Sequence, residues 1–147
     1  MLGWNEIQEG YIKVIHMSSF KNRARAAQLI DFQGLQWGKL RPTDIDLSID
    51  WGGKTFVFVE VKGINQGLTV GQRIHLEGLV KAIRAGGKSA HAVLAKHSTR
   101  AADDIQAADC LSTSIFSGNN WETVDTNERL SFTLNSLYDT HIEEYGK

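Results

Sequence analysis

Asp46, Glu60 and Lys62 are the residues whose types and spacing could do chemistry, with Asp44 and Gln72 close by. An acid followed two positions later by a lysine is common. On a solvated strand such a pair is a surface salt bridge worth at most ~1 kcal/mol. Two features of Glu60-Val61-Lys62 speak against that bland reading. The run from Phe56 to Val61 is otherwise large and apolar, as in a central strand, where a charge needs a partner or a metal. The neighbouring strand offers Asp46, a second acid, and like charges held opposite each other are destabilising unless a cation lies between them. Mg²⁺ prefers carboxylate, carbonyl and water oxygens and takes few ligands from protein. Asp46, Glu60 and the backbone carbonyl of Val61 would hold such an ion and leave positions for water and a phosphate. Lys62 falls on the face of Glu60, where its ammonium can orient an attacking water or stabilise charge developing on the phosphate. The expected chemistry is metal-assisted hydrolysis of a phosphodiester.

The elements that must position these groups follow from periodicity. From Asp44 to Trp51 polar and apolar residues alternate, which predicts a strand with Asp44, Asp46, Ser48 and Asp50 on one face and Ile45, Leu47, Ile49 and Trp51 on the other. Gly52-Gly53 turns the chain and Thr55–Lys62 returns as a β-rich run. Paired residues of an antiparallel ladder share a face, so Ile45, Leu47 and Ile49 should oppose the valines at 57, 59 and 61. A strict two-residue turn mixes the faces. A three-residue loop Gly52-Gly53-Lys54 restores them and sets Asp46 opposite Glu60 and Asp44 opposite Lys62. Thr69–Ala85 carries Leu76, Leu79, Val80 and Ile83 at helical spacing and ends at Gly86-Gly87. Ser89–Lys96 reads as a buried strand, Thr99–Cys110 as a shorter helix, Leu111–Phe116 as a strand, and Thr126–Tyr145 as a closing helix with Leu130, Leu134, Leu137, Tyr138 and Ile142 inward. Residues 5–16 and 18–30 are helical candidates at the start. The sum is a single α/β domain over 1–147, a sheet covered by helices on both sides.

Pro42-Thr43-Asp44-Ile45-Asp46, a short spacer, Glu60-Val61-Lys62 and a following helix bearing Gln72 together resemble the PD-(D/E)XK nuclease superfamily, over roughly residues 35–96. The spacing is similar to that of Holliday-junction resolvases and recombination nucleases. The resemblance implies a restriction-endonuclease-like fold, a central mixed sheet flanked by helices. It implies Asp46 and Glu60 as metal ligands, Lys62 as the catalytic lysine and Gln72 as a further active-site residue, with Mg²⁺ as cofactor and Mn²⁺ able to substitute. Many members carry an acid on the first helix, a place open to Glu6, Glu9 or neither, and the choice of principal ligand between Asp44 and Asp46 favours Asp46 through the face match. Gln72 also has a purely structural reading, since Thr69-x-x-Gln72 fits a capping box. His75, one turn further, is a surface residue first and a phosphate contact second. Lys21, Arg23, Arg25, Arg41, Arg73, Lys81 and Arg84 could meet phosphates, although Arg73, Glu77, Lys81 and Arg84 also fit an ordinary row of i, i+4 ion pairs. Trp37 reads as core rather than as a base-stacking residue.

Composition sets the outer bounds. The 147 residues are 41% apolar and 22% charged, a globular balance that argues against wholesale disorder. The single cysteine, Cys110, excludes an internal disulfide and a zinc site built on cysteine pairs. No apolar run is long enough to cross a bilayer and the start lacks a secretory pattern, so an intracellular, cytoplasmic protein is expected. Residues 1–100 hold 14 Lys+Arg against 8 Asp+Glu, a net +6, whereas residues 101–147 hold 2 against 9, a net −7. A basic part that contains the candidate site suits a polyanion such as DNA, duplex or branched. A small chain with one site also suits a homodimer, because cutting both strands needs two sites. The leading expectation is therefore a structure-selective deoxyribonuclease of recombination or repair. A non-catalytic nucleic-acid-binding module of the same fold and a protein-interaction subunit are the alternatives.

Overall fold

The computed structural model describes residues 28–125 and 127–146. By contacts the chain divides into two compact units, Met1–Pro42 and Thr43–Lys147. The helix expected over 5–16, most of that over 18–30, and Glu6, Glu9, Lys21, Arg23 and Arg25 lie outside the described residues. Residues 28–30 are not helical. Within 28–42 the chain turns at Gly34 and Gly38, which take positive φ, and Trp37 and Leu40 form an isolated bridge. Trp37, expected in the core, is 64% exposed there.

The second unit runs β1 (Leu47–Trp51), β2 (Thr55–Gly63), α1 (Val70–Ala85), β3 (Ser89–His97), a single 3-10 turn (Ala107–Asp109), β4 (Leu111–Phe116), β5 (Trp121–Thr123) and α2 (Leu130–Tyr145). The strands form one five-stranded sheet in the order β1-β2-β3-β4-β5. β2 and β3 are parallel and joined by α1, while every other neighbouring pair is antiparallel. The unit is thus mixed α/β, with a mixed sheet and two helices.

The hairpin has the register that face matching predicts. Leu47 pairs with Val59, Ile49 with Val57 and Trp51 with Thr55, leaving Gly52, Gly53 and Lys54 as the loop. Both glycines take positive φ, 63° and 71°, a conformation that costs a side chain but not glycine. The Gly53 N–H donates to Asp50 Oδ1 at 2.7 Å and the Lys54 N–H to the Trp51 carbonyl at 3.1 Å, closing the turn. β1 starts at Leu47 rather than Asp44, so Asp46 stands one residue before the ladder and Asp44 is not paired with Lys62.

Alternation along the strands gives the sheet two apolar faces. Val57, Val59, Val93 and Ala95 bury against Cys110 and Leu130, with Leu134 and Leu137 of α2 alongside. Phe58, Ala90, Ala92 and Phe116 bury against Leu76 and Val80 of α1, with Leu79 and Ile83 alongside. Burial of such a side chain is worth ~1.5–3 kcal/mol, so these two stripes fix which face each helix covers.

Three sequence expectations need correction. Thr99–Cys110 is not a helix. Arg100 and Asp103 close a turn through both backbone and side chain, and only Ala107–Asp109 curls into a 3-10 turn. Ala101, Ala102 and Ile105 are exposed, so helix propensity there has no buried face to support it. The closing helix begins at Leu130, not Thr126, because β4 uses the preceding backbone: the Ser112 N–H donates to the Glu128 carbonyl and the Leu130 N–H to the Cys110 carbonyl. On α2 Tyr138 is 40% exposed, whereas Thr133 and His141 are buried. β5 is an additional edge strand.

Candidate functional site

The carboxyl end of β2 lies beside the first turn of α1, and the two meet at one side chain. Thr69 caps α1: its hydroxyl accepts from the Gln72 N–H at 3.1 Å, and its own N–H donates to Gln72 Oε1 at 3.1 Å. The capping box is therefore complete. The same Gln72 amide turns its Nε2 toward β2 and donates to Glu60 Oε2 at 3.1 Å. The capping reading of Gln72 holds, and the other end of the same amide meets Glu60.

Asp46 reaches the site by side chain. Its Oδ2 accepts from the Val61 N–H at 2.7 Å, taking the place of the backbone acceptor that β1 would have offered had it continued. Alternate strand residues aim N–H and C=O at the same neighbour, so the Val61 carbonyl lies on this side too. Oδ1 of Asp46 is left without that bond.

Glu60 is 4% exposed, the most buried acid described. Burial first, and then the nearby Asp46 charge, push its carboxyl up from 4.5 to about 7; Lys62 opposes the shift, a hydrogen bond with Asp46 adds to it, and Asp44 contributes least. Two carboxyls close enough to share a proton, one of them desolvated, resist carrying two negative charges side by side. The ordering of Asp46 before Asp44 also agrees with the register argument.

Lys62 follows Glu60 by two residues on the same face, and the parallel ladder places Lys96 beside it, with Glu60 beside Leu94. Lys96 was not among the sequence candidates. It stands next to last in an apolar strand, but only the β2–β3 register brings it next to Lys62. Adjacent ammoniums on one face repel each other, and a phosphate between them would relieve that repulsion. Of the other basic candidates, Arg73 follows Gln72 and its side chain is 58% exposed. The expected ion-pair row stops after Arg73–Glu77 at 3.8 Å. The Lys81 ammonium sits over the Phe116 ring, and Arg84 Nε donates to the Ala90 carbonyl at 3.0 Å. Arg41 is exposed in the first unit, and His75 is half-buried on α1.

The donors fit a hard divalent cation. Two carboxylates and a carbonyl make an all-oxygen set of the kind Mg²⁺ accepts while keeping several waters. Among the described residues no third His, Cys, Asp or Glu joins them. Comparison with protein-family models, with curated proteins and with solved structures finds no match. No helix among the described residues is long and apolar enough to cross a membrane.

Proposed function

We propose that the protein is a Mg²⁺-dependent deoxyribonuclease with a PD-(D/E)XK-type site on a restriction-endonuclease-like sheet. The observation that carries this reading is the meeting of two acids at the end of β2: a buried Glu60 held by Gln72, and Asp46 held by the Val61 N–H. The strand–turn–strand–helix order that presents Asp46, Glu60, Lys62 and Gln72 supports it. Asp46 and Glu60, with the Val61 carbonyl, would hold the ion. When bound, Mg²⁺ supplies Lewis-acid polarisation of the phosphodiester and neutralises part of its charge. Gln72 fixes Glu60 in one orientation, and the Val61 N–H does the same for Asp46. Lys62 orients the attacking water and meets charge that grows on the phosphoryl oxygens, an interaction stronger in the transition state than in the ground state. Lys96 is placed to hold a neighbouring phosphate. The protein acts inside the cell as a homodimer, which presents two sites in fixed relation for cutting both strands.

Incubation with supercoiled, linear, single-stranded and four-way-junction DNA in Mg²⁺, Mn²⁺ or EDTA tests the reading. Cleavage should need either metal and vanish in Glu60→Gln. Cleavage that persists in EDTA, or in that variant, overturns the metal assignment. Tight metal-independent binding without cleavage would favour the non-catalytic module.

A further inference from the structure

On the same sheet face as Glu60, and beside it, lies an open cleft of about 230 Å³ lined by Leu68, Arg73, Leu94, Ser114 and Trp121. Register explains its place. Glu60 pairs with Leu94 and Leu94 with Ser114, so one row of side chains runs from the carboxylate across β3 and β4. Neighbouring strands are about 4.8 Å apart, which starts the cleft one strand from the acid. Leu68 and Arg73 flank the cap of α1, and Trp121 of β5 closes the far side.

Trp121 is held in place. Its indole N–H donates to Glu77 at 2.7 Å and its ring tilts onto Phe116 at a centroid distance of 5.5 Å. With the N–H satisfied, the ring offers a ligand its apolar surface rather than a donor. Among the described residues the Arg73 side chain makes one ion pair, a long contact of 3.8 Å to Glu77, which at this exposure binds it weakly. Pockets for drug-sized ligands measure roughly 300–1,000 Å³. A cleft of about 230 Å³ takes one planar ring system and its attachment.

We propose that this cleft is a nucleobase subsite, which receives one unstacked base of the strand whose phosphate is held at Asp46, Glu60 and Lys62. The proposal rests on the nuclease reading above and deepens it. A base in continuous duplex is stacked and paired and cannot enter without unpairing, which costs a few kcal/mol. The subsite therefore selects DNA with an unpaired nucleotide next to the scissile bond, such as a single strand, gap, flap or junction. Ring stacking tolerates any base, while Ser114 Oγ and the Arg73 guanidinium offer polar contacts at its edge.

The test uses the full chain in EDTA, with single-stranded and blunt duplex oligonucleotides of one sequence carrying 2-aminopurine. Wild type should quench the single-stranded probe and bind it more tightly than the duplex. Stacking is worth ~1–3 kcal/mol per base, so Trp121→Leu should weaken binding about 5- to 150-fold, and Trp121→Phe should keep most of it. Ser114→Leu fills the cleft without touching the Trp121–Phe116 contact and should produce a similar loss, which covers the case of a misfolded Trp121→Leu. Equal binding by wild type and Ser114→Leu, or no preference over duplex, overturns the subsite. Cleavage in Mg²⁺ separates the two ideas. A protein that cleaves but shows no base dependence keeps the nuclease reading and loses the subsite. One that quenches the probe but never cleaves keeps the subsite and loses hydrolysis.

Discussion

Glu60→Gln should make the metal-free protein more stable. At pH 8 Glu60 must ionise where burial and the Asp46 charge resist it, with Lys62 only partly compensating. A carboxyl moved from 4.5 to about 7 corresponds to ~3 kcal/mol at a pH above both values. The sign follows from proton binding. The folded state holds this proton more tightly than the unfolded chain, so the Glu60 contribution is most favourable below pH 4.5 and is lost as pH rises to about 7. Glutamine has nearly the same shape, can still accept from Gln72 Nε2, and can donate to Asp46. It forgoes only the attraction to Lys62. The expected gain at pH 8 is therefore ~1–3 kcal/mol, roughly 3–9 °C in Tm for a chain of this size, shrinking to under about 1 kcal/mol at pH 5. Urea unfolding followed by circular dichroism in EDTA at both pH values measures it. Added Mg²⁺ should stabilise wild type at pH 8 and leave the variant unchanged, by ligand linkage. A variant no more stable than wild type at pH 8, or one that differs from it equally at both pH values, refutes the argument.

Lys62→Ala should lower turnover far more than DNA affinity measured in EDTA; parallel losses would make Lys62 a simple phosphate clamp. His91, hydrogen-bonded to Ser117 Oγ, is pushed down from 6.5 to about 4 by burial and then by Arg84. Its contribution is present above pH 6.5 and lost toward pH 4, opposite in slope to that of Glu60, so His91→Gln should resist acid better than wild type by ~1–2 kcal/mol, a figure reduced for the ring's partial exposure. Thr55→Val removes the hydroxyl bonded at 2.8 Å to buried His141 Nδ1 and should cost ~1–3 kcal/mol in urea unfolding, with cleavage in Mg²⁺ intact. Gln72→Ala should destabilise by ~1 kcal/mol through the lost cap and also weaken Mg²⁺ stabilisation, whereas Gln72→Glu should keep the cap, set a further carboxylate against Glu60, and so destabilise the metal-free protein while enlarging its stabilisation by Mg²⁺.

The hairpin and α1 were legible because several local signals agree there. Period-two alternation, a Gly-Gly turn and a capping box each point to the same elements, and matching the faces fixes the loop at three residues. That placed Asp46, Glu60, Lys62 and Gln72 together in advance. Residues 99–129 were less legible because long-range pairing overrides local propensity. Ala-rich sequence after Thr99 has no core to face, and the backbone at Glu128 bonds to β4 instead of starting the helix. Lys96 and the Trp121 wall depend on parallel and edge-strand registers, which no local pattern encodes.

Gln72 ties the start of a helix to the order of a carboxylate through one amide group. Helix ends open more readily than their middles, and each such opening breaks the first-turn bonds together. When the Thr69 cap lets go, Glu60 loses its Nε2 donor in the same event. The Gln72–Glu60 bond therefore lasts no longer than the first turn of α1 stays closed. In the proposed metal-bound state an ion held by Glu60 would lengthen both, so slowed amide exchange at Gln72 and Arg73 on adding Mg²⁺ would be a backbone clock for occupancy of the proposed site.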